Sequence, residues 1–339
     1  MRQVKISVVI SAYNKSREIK RAINSVLFQS FSDLEVVVVD DASDDDTCLI
    51  VKSMAVKDER IKLISHENNM GLSQTRMTGL SVATGMYVSF MDADDTLSQN
   101  TLNLLYDQIL KTQCDIIVMG MRRVNKYLHL KLPFFSPAAQ FHDEIYKTRE
   151  LLPLLLGKRG LSLSLCDKLY KRDLLNRSNL KAEKIFMGED MLLNMRVFNS
   201  DAKLSWVDHI GYNWTTGGGS SKAPQELWND DKKLYLRCVE VLTEINADTE
   251  INRNALASGA VEAFVSAIAG LLANPFRSRN KTKAWVAREL SLPFWQDVKP
   301  CLGDAHKGID LSDAEAVFAY AGKYLKSHWL YYAATPLLR

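Results

Sequence analysis

The sequence predicts an α/β fold: a doubly wound, mostly parallel sheet flanked by helices, followed by a helical C-terminal appendage. Three observations predict it. Nearly unbroken apolar runs recur along the first third of the chain, as expected of strands covered on both faces. Stripes of helical period separate them. Polar and acidic residues collect directly after several of the runs, at the strand carboxyl ends where open α/β sheets place their ligands.

The strand-like runs fall at 6–10, 36–39, 61–64, 87–91 and 116–119. Between the first two, Ile19, Ala22, Ile23, Val26 and Leu27 share one helical face, and similar stripes pass through 47–54, 73–82 and 102–109. Such alternation builds a parallel sheet. Beyond Val124 the rhythm breaks, and 126–159, with Pro133, Pro137 and Pro153, reads as a connector with short helices. A helix through 190–198, a strand around 202–207 and a loop over 215–221 follow; the loop's three glycines permit motion. From Glu226 onward the pattern is helical, with Val261, Phe264, Val265, Ile268, Leu271 and Leu272 on one face. The expected division is an α/β domain over 1–222 and a helical region over 223–339.

A chain of 339 residues suits one large α/β domain with an appendage, and 47% hydrophobic residues with mixed charge describe an ordinary folded protein. The net charge of +3 gives no argument for nucleic acid. Five scattered cysteines without CxxC spacing indicate neither a disulfide framework nor a zinc site, and a reducing cytoplasm is the expected compartment. The start, MRQVKISVVISAYN, is short and strand-like and lacks a small-residue cleavage site, so it is not read as a signal peptide. No window is read as the roughly 20 apolar residues of a membrane helix. Any membrane contact is expected to be peripheral, at the inner face of the plasma membrane.

Four strand ends carry candidate chemistry: Ser11-Ala12-Tyr13-Asn14, Asp40-Asp41-Ala42-Ser43-Asp44, His66-Glu67-Asn68-Asn69 with Gly71, and the Asp92, Asp94, Asp95 cluster. Hard oxygen ligands of the last kind suit Mg²⁺ or Mn²⁺ carrying a diphosphate. The alternative is a solvated turn that caps the next helix, because Asp94, Asp95 and Thr96 are all good capping residues. No GxGxxG follows the first strand and no Walker sequence occurs, which disfavours a dinucleotide-dependent dehydrogenase and a P-loop enzyme.

In order along the chain, SVVISAYN, EVVVVDDASDDDT, Asn69-Met70-Gly71 leading to Arg76 and Gly79, FMDADD, CDKLYKRDLL and MGEDMLL resemble the family 2 inverting glycosyltransferases of the GT-A fold, bacterial surface-polysaccharide type. The resemblance implies a DxD motif at Asp92-Ala93-Asp94, with Asp94 as metal ligand and Asp92 at the ribose or the metal. It implies that Asp41 accepts a hydrogen bond from uracil and that Tyr13 stacks on the base; a helix cap and a core aromatic are the respective alternatives. It places Arg76 at the diphosphate or the acidic cluster, against a surface arginine paired on its own helix. Asp190 is assigned as the base that takes the acceptor proton and Glu189 as a secondary contact; both acids could instead serve the helix dipole. Ser11, Asn14, Asn69 and Gly71 complete the expected nucleotide-sugar site.

The chain departs from the family pattern after Trp206. Tyr212-Asn213-Trp214-Thr215 stands where an aromatic pair is often followed by Arg, so a cation for the departing diphosphate is missing at Thr215, and Lys222 or His209 is its expected substitute. The implied activity is transfer from a UDP-sugar, with Mn²⁺ or Mg²⁺, to a hydroxyl of a glycan or lipid-linked acceptor in lipopolysaccharide or capsule synthesis. A sugar nucleotidyltransferase and a catalytically silent nucleotide-sugar-binding scaffold are the competing readings; the first lacks its Gly-rich basic loop here. Arg277, Arg279, Lys281, Lys283 and Arg288 beside Phe276, Trp285, Phe294 and Trp295 read as a surface for anionic lipid or, equally, as a homodimer or packing subdomain.

Overall fold

The structure is a computed structural model, and it describes residues 4–125, 131–136, 144–157, 162–185, 188–216, 222–274, 278–302 and 310–327. The first four apolar runs become β1 (Ile6–Ala12), β2 (Leu34–Asp40), β3 (Ile61–Ser65) and β4 (Tyr87–Asp92), all mutually parallel. Every residue of β1 and β2 is buried, which is why those runs show no alternation. In the β1 ladders Ala12 lies beside Asp40 and Ser11 beside Asp92, so the polar ends meet at one level.

Three helices cover this half. In α1 (Ile19–Leu27) the buried residues Ile19, Ala22, Ile23 and Val26 follow a helical stripe. α2 (Thr47–Ala55) and α3 (Leu72–Val82) follow β2 and β3. α3 lies close on the sheet through Gly79, where an added Cβ would sit 2.3 Å from Val9 Cγ1. α3 starts after Gly71, whose φ of +86° favours glycine.

The rest of the sheet is mixed. Its order is β3-β2-β1-β4-β9-β6-β10-β5, with β5 (Thr96–Leu97), β6 (Ile116–Asn125), β9 (Lys168–Lys171) and β10 (Lys203–Thr216). α4 (Thr101–Thr112) precedes β6, and α6 (Arg172–Arg177) and α7 (Glu189–Phe198) lie between β9 and β10. The long β6–β10 ladder is parallel, whereas the four-residue β9 is inserted antiparallel between β4 and β6. The expected connector instead holds β7 (Lys131–Phe135), β8 (Tyr146–Lys147) and α5 (Thr148–Leu156). The strand expected at 202–207 runs on to Thr216 because its pairing shifts at two irregularities, after Trp206 and after Ile210.

The chain forms two compact units, one of residues 1–151, 160–185 and 189–216, the other of 152–159, 186–188 and 217–339. The second contains α8 (Pro224–Glu244), α9 (Glu250–Leu272), α10 (Arg279–Leu290), α11 (Phe294–Val298) and α12 (Ala314–Ser327). Its core is aromatic. Trp228 stacks on Trp295 with centroids 5.8 Å apart, Phe264 packs on both, and Glu289 Oε2 accepts from Trp228 Nε1 at 2.9 Å and from Lys232 Nζ at 2.7 Å.

Two expectations change here. α9 is long and apolar enough to cross a membrane, since Glu262 is the one charge between Arg253 and its end; most of that stretch is buried inside the protein. Trp285 and Trp295 are buried in the helical unit, so the basic segment lacks these two exposed anchors, and Lys283 is paired with Glu315 at 2.7 Å. Phe276 and Arg277 lie outside the described residues, as do Gly217, Gly218, Gly219, Ser220 and Ser221 of the expected loop.

Candidate active site

The strand ends bring the acidic motifs of the first unit around one arginine. Arg76, one turn into α3, is 2% exposed. Its Nη2 donates to Asp92 Oδ1 at 3.1 Å, and its Nη1 donates to Glu189 Oε1 at 3.3 Å and, closer, to Asp190 Oδ1. The remaining Asp190 oxygen accepts from the Leu165 backbone N–H at 3.0 Å. The DxD motif at the end of β4 and the acidic pair opening α7 are therefore joined by a single side chain.

The charge balance is unequal. Burial opposes a charge on Arg76, yet Asp190, Asp92, Cys166 and Glu189 hold its guanidinium well above its usual value. Burial raises the Asp92 carboxyl above the ordinary range, with Asp190 and Asp94 adding to the rise against Arg76. Burial and Asp190 raise Glu189 in the same way. Asp95, 2% exposed, is pushed up further by burial, Asp92 and Asp94, although Tyr212 Oη and the Thr215 N–H donate to it at 2.6 and 2.7 Å. Asp94 is paired through Oδ2 with Lys15 Nζ at 2.6 Å.

The expected nucleotide residues line the same edge. Tyr13 is 44% exposed, a ring open to stacking. Asn14 has φ +53° and closes the first loop onto the second: its N–H donates to Ser43 Oγ, and its Oδ1 accepts from the Asp44 N–H, both at 2.9 Å. Asp41 is 3% exposed; its carboxylate accepts from Met70 N and Gly71 N at 2.8 Å each and contacts His66 Nδ1 at 2.6 Å. It thus anchors the turn that opens α3, and three of its roughly four lone-pair positions are taken. Ser11 is buried beside Asp92, Ala93 is buried with its N–H on Ser11 O, and Asn69 is exposed.

Both expected substitute cations have other partners. His209 Nε2 lies 3.0 Å from Thr101 Oγ1, and burial and Arg122 lower its pKa, which disfavours its charged form. Lys222 belongs to the second unit and pairs with Asp230 at 2.6 Å.

Other residues escaped the sequence reading. Lys168 and Asp167 form a fully buried pair at 2.6 Å, and Lys168 Nζ also donates to Ser162 O and Ser164 O. This shapes the loop whose Leu165 N–H reaches Asp190. The motif CDKLYKRDLL carried that signal. Tyr212 Oη also accepts from the Asp92 N–H at 3.2 Å, tying β10 to β4.

A parallel β1–β4 half continued by a mixed sheet, with Asp92-Ala93-Asp94 at the end of β4 and an acidic pair opening α7, is a GT-A fold. Residues 7–173 match the family described as Glycosyl transferase family 2, and the chain belongs to that family. It is 30% identical over 234 residues to "Glycosyltransferase GlyA" of Streptococcus pneumoniae, covering 66% of this chain and 32% of that protein. It is 28% identical over 244 residues to "Cholesterol galactosyltransferase" of Borreliella burgdorferi, covering 70% of this chain and 67% of that one. The chain thus spans about a third of the first relative and about two thirds of the second. The S. aureus TarS 1–349 structure in complex with UDP-GlcNAc superposes with a TM-score of 0.65 at 22% identity, over 96% of this chain and 91% of that one, a likeness of fold.

Proposed function

We propose that the protein is a metal-dependent inverting glycosyltransferase that moves a sugar from a UDP-sugar to a hydroxyl of a glycan or lipid-linked acceptor. The observation that carries this reading is the Arg76 junction, which sets the DxD carboxylate and the acceptor-side carboxylate on one guanidinium. Asp190 takes the acceptor hydroxyl proton, the acceptor oxygen bonds the anomeric carbon, and the sugar–diphosphate bond breaks on the opposite face with its electron pair leaving on UDP. Arg76 and the Leu165 N–H orient the Asp190 carboxylate; Tyr13 and Asp41 hold the uracil end. The UDP-GlcNAc complex of the TarS fold neighbour supports the donor class, and the undecaprenol-linked glycan in the name of a 28% identical Campylobacter jejuni glucosyltransferase supports the acceptor class.

A divalent ion fits the DxD carboxylates. Asp92 and Asp94 are hard oxygen donors at one strand end, where burial first, and then Asp190 and Asp94, raise the Asp92 carboxyl. Among the described residues no group of three His, Cys, Asp or Glu could hold an ion alone, which suits an ion shared between one or two carboxylates and a diphosphate. Mg²⁺ or Mn²⁺ bound there would supply Lewis-acid neutralisation of the departing diphosphate. The proposed setting is the cytoplasmic face of the membrane.

The test is turnover of a UDP-sugar panel with an acceptor present, followed by UDP release. EDTA is expected to abolish release and Mn²⁺ or Mg²⁺ to restore it. Asp190→Asn should bind UDP as the parent does while turnover falls at least about a hundredfold. Full activity in excess EDTA would remove the metal from the reading; equal losses of binding and turnover would remove the base role.

A further inference from the structure

Five carboxylates, Asp92, Asp94, Asp95, Glu189 and Asp190, crowd a site that, on the reading above, must also accept the charge of a departing diphosphate. The cations already described are committed. Arg76 is buried and shared by three acids, and Lys15 is held by Asp94. One cation at this edge differs. Arg21, on the exposed side of α1, reaches across the site rim, and its Nη2 donates to the Asp94 backbone oxygen at 2.6 Å and to Thr215 Oγ1 at 3.3 Å. Both acceptors are neutral, among the described residues no carboxylate oxygen lies within ion-pair distance of its nitrogens, and Nη1 and Nε make no hydrogen bond there.

We infer that Arg21 is the diphosphate-binding cation of this enzyme, entering from α1 to the place beside Thr215 where the chain itself carries no charge; the inference rests on the UDP-sugar reading. The Asp94 carbonyl fixes one nitrogen of the guanidinium at the DxD motif. The remaining donors form a planar fork suited to two phosphate oxygens. As the bond between the anomeric carbon and the diphosphate oxygen breaks, its electron pair stays on the β-phosphate, and Arg21 binds that developing charge. Ground-state binding and leaving-group stabilisation then both depend on it.

The experiment compares UDP with uridine, which lacks the phosphates, on the parent, Arg21→Gln and Arg21→Lys, using calorimetry for UDP and ligand-detected NMR for uridine. Glutamine and lysine have helix propensities close to arginine, and the site is exposed, so folding should be retained. Arg21→Gln is expected to weaken UDP about tenfold or more with uridine unchanged, and to lower kcat at unchanged acceptor KM; Arg21→Lys should keep part of the UDP affinity. UDP binding within about twofold of the parent, or equal losses of UDP and uridine, would overturn the assignment. A parent that binds neither molecule would overturn the UDP-sugar reading itself.

Discussion

The two ends of the parallel strands use buried acid in opposite ways. At the amino end, Glu35 on β2 accepts from Ser7 Oγ at 2.6 Å, Thr84 N at 2.7 Å and Thr84 Oγ1 at 3.0 Å, and pairs with Lys62 Nζ at 2.6 Å. Burial alone would raise its pKa, but Lys62, Ser7 and Thr84 together bring it below the usual carboxylate range. At the carboxyl end Arg76 serves three acids, and Asp92, Asp95 and Glu189 are all raised. The first cluster is complete within the protein. The second is short of positive charge, the condition in which a metal ion and a cationic rim add most.

The largest expected effect breaks the second cluster. Arg76→Met leaves three carboxylates without their shared partner and should cost about 3–5 kcal/mol of stability at neutral pH, read by urea unfolding, together with activity. The deficit should narrow as pH falls through the raised range of Asp92 and Glu189, where those two acids take up protons. A deficit independent of pH would show that Arg76 matters through packing instead.

Glu35→Gln sharpens the contrast with a smaller loss, about 1–3 kcal/mol at pH 7. Because the folded pKa of Glu35 is depressed, its contribution exists above the unfolded value and disappears as pH falls through the folded one. Parent and variant should therefore converge in acid while UDP binding is unaffected throughout.

Glu189→Gln should have the smallest effect and the opposite sign. Its folded pKa is raised, so between the unfolded value and the raised one the folded state holds more protons, and stability falls as pH rises through that window. The amide is expected to be as stable as the parent at pH 7 or more stable by up to about 1 kcal/mol, an advantage that vanishes below about pH 4. Destabilisation at pH 7 would mean that Glu189 is as well satisfied as Glu35.

The parallel half was legible because β1, β2 and the middle of β4 bury both faces and so spell apolar runs, with the acids at their ends. The rest was hidden for identifiable reasons. β9 is four residues, Lys168-Leu169-Tyr170-Lys171, and its first lysine is wholly buried against Asp167, so the pattern reads as polar. β10 was cut short because Asp208 and His209 fall where its pairing shifts. Arg21 gave no signal, since its reach to Asp94 and Thr215 spans 73 and 194 residues and exists only after folding. In the helical unit, Trp285 and Trp295 beside basic residues left a lipid surface and a packing subdomain equally open, and ring packing buries both side chains.

The late arrival of β9 sets a timetable for the ribosome-bound chain. β4 pairs on one side with β1, but its other side is closed by β9, through Tyr87 with Lys171 and Ser89 with Leu169. Translation at about 5–20 residues per second leaves that edge open for roughly 4–17 s, and Asp190 emerges later still to meet Arg76. An unpaired strand edge is a template for association with another chain. The nascent protein must therefore hold a half-built sheet and a solvent-exposed arginine through that interval, which is when a chaperone or a slowed codon run would change its yield most.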